Sequence, residues 1–197
     1  MENTERVCLI PGEEALHQLS VRARTILHVI TAWIDQLPAG TVDMTYTLFP
    51  SDDDYGSELL VTLRPYKSAG GVLTIGVISD TTFPFHFHLG AMNEIATAAG
   101  LTLSYTVPAQ LPLFWEHRSD VSPMDVVALC RAVAAAQIRL NLSTFREQVW
   151  AAEAWVTASL GLRSLHAHGS SGPLRLVNLL CRLGYGTIRT PTFAPWN

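Results

Sequence analysis

Gly70-Gly71-Val72-Leu73-Thr74-Ile75-Gly76-Val77-Ile78 is the stretch that decides the fold. Two glycines interrupt the chain, and the residues after them are apolar nearly throughout, as a strand is when both of its faces are covered. It predicts the central strand of a sheet. Upstream, Val42, Met44, Tyr46 and Leu48 alternate with Asp43, Thr45 and Thr47, the period of a half-buried strand, and Glu58 to Arg64 reads as the returning strand. Pro50-Ser51-Asp52-Asp53-Asp54-Tyr55-Gly56 between them makes a long acidic hairpin loop.

Further upstream, Leu16, Leu19, Ala23, Ile26, Ile30, Trp33 and Leu37 advance by three or four between Pro11-Gly12 and Pro38-Ala39-Gly40. They predict one long amphipathic helix with His17 and His28 on its polar side. Downstream of the central strand come Phe83 to Leu89, then Met92, Ile95, Ala96 and Ala99 at helical spacing up to Gly100, then Leu101 to Val107 as a strand. The order fits a right-handed crossover, or a meander if residues 83–87 themselves pair as a strand.

From Ser122-Pro123-Met124-Asp125 the signals turn helical: an N-cap, a first-turn proline and an acid near the helix start. Val126 to Leu140 reads as a buried helix. A second opens at Ser143 or Thr144 and runs through Phe145, Val149, Ala152, Val156 and Leu160 to Gly161; a third spans Pro173 to Leu183 and stops at Gly184. In the tail, Pro191 and Pro195 hold Phe193 and Trp196 on extended backbone, ready to dock on their own domain or in a partner's groove. The expected architecture is a single domain over residues 1–197, of class α+β or mixed α/β. It has an N-terminal helix, a central sheet of four to five strands in a sheet-rich part 41–107, a C-terminal helical layer in a helical part 122–184, and an extended tail 187–197.

Apolar residues make up 48% of the 197 and charged residues 15%, against roughly 25% charged in an average soluble protein. A surface so poor in charge favours association, with another protein or with a second copy of the chain. The net charge of -4 and the pI near 5.9, with basic residues scattered, argue against binding nucleic acid or an anionic membrane. No run of about eighteen apolar residues predicts a membrane span, and Met1-Glu2-Asn3-Thr4-Glu5 lacks the basic, then apolar, start of a secretory signal, so a cytoplasmic protein is expected. Cys8, Cys130 and Cys181 are odd in number and far apart, which predicts reduced thiols, with Cys130 and Cys181 in apolar packing.

Two histidine pairs of one form, His86-Phe87-His88 and His166-Ala167-His168, hold four of the seven histidines. On extended backbone, residues i and i+2 share a face, which suits a divalent metal or a pair of proton carriers. A third ligand would still be needed, and Asp80 and Glu94 are the nearest carboxylates in sequence. The His86, His88, Glu94, Gly100 order only loosely echoes the cupin motif: the gap from His88 to Glu94 is too long and the stretch reads helical. His166 and His168 fall in a loop that continues through Gly169-Ser170-Ser171-Gly172 into the third helix. With Arg175 in its first turn, that loop would suit a phosphate or carboxylate. Asp52, Asp53 and Asp54, together with Trp115 and Trp196, are the expected partner-binding residues, the acids facing a basic partner.

These features predict a cytosolic protein-binding module, of the kind a small acidic inhibitor or immunity-type protein represents. The alternative is a small metal- or histidine-dependent enzyme or ligand-binding protein built on His86 and His88. No organic cofactor is expected; a divalent metal is the one cofactor the histidines would take. The partner or substrate, the oligomeric state and any catalytic residue are not specified by the sequence.

Overall fold

The computed structural model describes residues 19–48, 57–66, 71–78, 85–91, 96–97, 99–103, 112–118, 121–156, 163–167 and 174–196. Helix α1 (Val21–Ile34) begins at Ser20, whose hydroxyl accepts the Ala23 N–H and so satisfies one of the helix's free donors. Its buried stripe is Ala23, Ile26, Leu27, Ile30, Trp33 and Ile34. There follow β1 (Val42–Leu48), β2 (Ser57–Pro65), β3 (Leu73–Ile78) and β4 (Phe85–Ala91), each antiparallel to the one before. The connection from β3 to β4 is therefore a meander. A two-residue strand β5 (Thr102–Leu103) intervenes before β6 (Pro112–Arg118), which pairs with β4 and closes the first sheet in the order β1-β2-β3-β4-β6.

β3 lies in the middle of that sheet, as its apolar run predicts, and five of its six residues are buried. On one face stand Leu59, Val61, Leu63, Leu73, Ile75, Val77, Phe85 and Phe87, all buried. α1 and a second helix, α2 (Pro123–Ala134), pack on each other and share one apolar cluster with this face. Fully burying each such side chain contributes about 1.5–3 kcal/mol. At the start of α2, the Ser122 hydroxyl accepts the Asp125 N–H and the Asp125 carboxylate accepts the Ser122 N–H, a reciprocal capping box.

Of the expected C-terminal helical layer, the first helix is present but shortened and the third is present as α3 (Leu174–Arg182), while a second sheet takes the place of the helix between them. α2 stops at Ala134, short of Leu140, because Ala136 turns left-handed (φ 56°); Gln137 N–H then reaches Ala132 O at 2.8 Å and Ala136 N–H reaches Val133 O at 3.0 Å. From there the period is two: Ile138, Leu140 and Leu142 are buried while Arg139 is exposed. The stretch read as a helix from Ser143 or Thr144 to Gly161 is instead, where described, the end of β7 (Ile138–Phe145) and the whole of β8 (Gln148–Val156), an antiparallel hairpin. β9 (Arg163–Ala167) and β5 share the other edge of β8, the latter parallel to it, so β5 does not join the sheet of β3. Helix α3 (Leu174–Arg182) ends at left-handed Gly184 and leads to β10 (Thr187–Arg189), which pairs with β7. The result is an α+β protein with two largely antiparallel sheets.

The tail docks on its own domain. Trp196 is only 6% exposed, its ring 6.4 Å from that of Trp33, and its N–H donates to Ala134 O at the end of α2. Phe193 packs on the same cluster. Replacing Trp196 by Ala should lower stability by about 3–5 kcal/mol in a urea melt, the scale of an emptied aromatic site; an unchanged midpoint would show the ring to be dispensable.

Candidate functional site

The hairpin of β7 and β8 turns on Arg146-Glu147, two residues with left-handed φ of 48° and 64°. Positive φ at both central residues is the mark of the type I′ turn, whose twist matches that of the strands it joins, and neither Arg nor Glu favours such angles. Two residues beyond the loop the register slips: Ser143 faces Ala151 and Thr144 faces Val149, so Trp150 is an extra residue in β8. Such a bulge redirects a side chain. Trp150 stands edge-on to Phe145 at 6.5 Å. Its indole Nε1 is buried and has no hydrogen-bond partner among the described residues. An unmet buried donor costs about 1–3 kcal/mol.

α3 and β10 complete the surroundings. The Thr144 hydroxyl donates to Thr187 O at 2.9 Å, fixing β10 on β7. Gly186 allows that approach, since a Cβ there would fall 2.5 Å from the Thr144 carbonyl oxygen and 2.9 Å from Cys181 Sγ. Between these elements lies a pocket of about 330 Å³ lined by Phe145, Trp150, Leu180, Cys181, Tyr185 and Gly186, with almost wholly apolar walls. That volume is at the lower end of the range for ligand sites.

The apolar surface continues outside the pocket. Leu176, Leu179, Leu180 and Leu183, spaced i, i+3, i+4, i+7, form one stripe of α3, and all four are exposed, Leu183 by 62%. Phe145, Tyr185 and Ile188 are exposed beside them. Arg146, Arg182 and Arg189 are exposed on the same elements, Arg146 with its guanidinium 5.2 Å from the Phe145 ring. The charge is unevenly divided along the chain: residues 1–120 hold fourteen acids and six bases, residues 121–197 three acids and seven arginines.

The residues singled out from sequence lie elsewhere. His86 and His88 are on β4, in register with Gly76 and Thr74 of β3 on one side and with His117 and Trp115 of β6 on the other. His166 lies on β9 opposite Ala152, so the expected loop is a strand up to Ala167. β6 pairs with β4 and also approaches β9, so it stands between the strand of His86 and His88 and the strand of His166. Arg175 is in the first turn of α3. Trp196, expected at a partner interface, is in the core. Asp52, Asp53, Asp54, His168, Gly169, Ser170, Ser171 and Gly172 lie outside the described residues, as do Asp80 and Glu94. Among the residues whose side chains are described, which do not include His86, His88 and His117, no group of three or more His, Cys, Asp or Glu surrounds one point, and among the described residues no helix is long and apolar enough to cross a membrane.

Sequence reasoning missed Phe145, Trp150 and Tyr185, and the signal for α3 was present: a leucine stripe. The chain matches no known family, and no curated protein or solved structure is significantly similar to it.

The two described cysteines differ in kind. Burial pushes the Cys130 thiol from about 9 up to about 12, whereas Cys181 is half-buried at the pocket. Since the thiolate is the nucleophile, peptide mapping after brief treatment of the folded protein with iodoacetamide at pH 8 should find Cys181 modified and Cys130 intact. Equal labelling would contradict this arrangement. Replacing Arg146-Glu147 by Asn-Gly should raise stability by about 1 kcal/mol by removing the left-handed strain, measured by the same urea melt; a loss would mean the turn's side chains hold the hairpin.

Proposed function

We propose that the protein is a protein-binding module whose binding surface is the α3 leucine stripe together with the pocket between β7, β8 and β10. The observation that carries this reading is the stripe itself: four leucines at contiguous helical positions stand in solvent beside an apolar pocket. Contiguous apolar surface of this kind marks interaction sites. The occupant we infer is an apolar segment of another protein flanked by acidic residues. Its apolar side chains fill the pocket, and its carboxylates meet Arg146, Arg182 and Arg189. The sign is opposite to that expected from the Asp52-Asp53-Asp54 loop: the described surface suits an acidic partner.

The test is selection from a library of displayed random peptides on the wild-type protein and on Leu179→Glu and Leu183→Glu variants. Selected peptides should combine bulky apolar residues with Asp or Glu and should bind more weakly as salt rises, because the flanking pairs are screened. Each variant should lose at least about tenfold in affinity, the consequence of losing roughly 1.4 kcal/mol of buried apolar contact. Peptides without acidic residues, or binding indifferent to both substitutions, would overturn the reading. A wild-type dimer that Leu179→Glu converts to a monomer would replace it with self-association.

A further inference from the structure

The second inference concerns the first sheet. His86 and His88 are two residues apart on β4, so strand alternation places both positions on one face, opposite the buried Phe85 and Phe87. β6 contributes His117, in direct register with His86. Three histidine positions thus adjoin on one face of a two-strand ladder: a cross-strand pair, a pair two residues apart, and a diagonal pair. Regular sheet geometry sets Cβ atoms in these relations about 5, about 7 and about 7–8 Å apart. Three imidazoles on such a triangle can converge on one ion at bonds of about 2.0–2.1 Å.

The neighbouring positions make the set purely nitrogenous. Across the sheet, His86 continues a row through Gly76, Leu60 and Thr47, and His88 a row through Thr74, Thr62 and Thr45. Neither row offers a carboxylate. Gly76 places no side chain beside His86, and the Thr74 and Thr62 hydroxyls are 3.4 Å apart, engaged with each other. A site of imidazoles without carboxylates selects zinc and its borderline neighbours over magnesium or calcium.

We propose that His86, His88 and His117 form a three-imidazole site for a transition-metal dication, zinc foremost, with a fourth position left for water or a ligand. The third ligand that the His86-Phe87-His88 pair lacks is supplied by the pairing of β4 with β6. The set is confined to the β4–β6 ladder, which the strand of His166 does not join.

The test is a titration of the full chain, freed of metal by chelation, with zinc chloride and with cobalt chloride. One equivalent should bind, and the cobalt form should show the visible absorption of a tetrahedral nitrogen site. His86→Ala and His117→Ala should each weaken binding by more than about 100-fold, beyond the 10- to 100-fold that losing an outer-shell partner costs. His28→Ala and His166→Ala should bind as the wild type does. Because a substitution in β4 or β6 could unfold the sheet, the wild type is also read directly: zinc should shift the imidazole NMR signals of three of the seven histidines. Absence of stoichiometric binding, binding that survives His117→Ala, binding lost on His166→Ala, or shifts in fewer or other histidines would each overturn the proposal.

Discussion

Ala23, Ile26 and Ile30 of α1 and Val126 and Cys130 of α2 have no accessible surface, and they are buried against one sheet face and against each other. Everything else is hung on that contact. It fixes β1 to β4 beneath the helices, and it brings the end of α2 to where Trp196 can donate to Ala134 O and lay its ring near Trp33. It also sets where the second sheet begins, since Ile138 and Val156, paired at one end of the β7–β8 hairpin, belong to the same apolar cluster. The contact of α1 with α2 therefore organises both sheets. α3, which adds nothing to that cluster among the described residues, is left to present its leucines.

A helix capped by serine and followed by antiparallel strands occurs twice: α1 before β1 to β4, and α2 before β7 to β9. The duplication is one of plan, and no residue pattern in the sequence announces it. In the first unit the strands are long enough, and apolar enough on one face, to fill the space under both helices. In the second, Leu140, Leu142, Val149 and Ala151 are buried outside that main cluster, and the apolar surface runs on past them to Phe145 and the pocket. A sheet that offers more apolar area than its own helices cover leaves the remainder exposed.

The parts legible in the sequence were those with local cues: the apolar run of β3, the alternation of β1, the capping signals at Ser122 and the glycine stop at Gly184. The hairpin of β7 and β8 was illegible for a physical reason. Its turn is Arg146-Glu147, without the Asn or Gly that left-handed angles call for, and its alanines and valine fall at spacings that fit a helix equally well. Tertiary pairing, absent from any local window, decided in favour of strands. The same holds for the sites. The His86-Phe87-His88 pair was visible, but that His117 stands opposite His86 depends on β6 skipping β5 to reach β4. Trp150 was invisible as a site residue because only the bulge, a matter of register with β7, sets it apart from its neighbours.

The departures from regular structure in the second sheet are concentrated. Within six residues fall Phe145 exposed, Arg146 and Glu147 at left-handed φ, and the bulged Trp150 with an unmet buried N–H. Each costs stability, of order 1 kcal/mol or more, and none is needed to form the hairpin, since a regular ladder with an Asn-Gly turn would do so at lower free energy. Irregularities of that kind persist where they serve a site. Here they have one thing in common: they gather beside the pocket that Phe145 and Trp150 help to line and that α3 and β10 complete. On the proposed reading, these irregularities are kept because they build the apolar surface that a partner would cover.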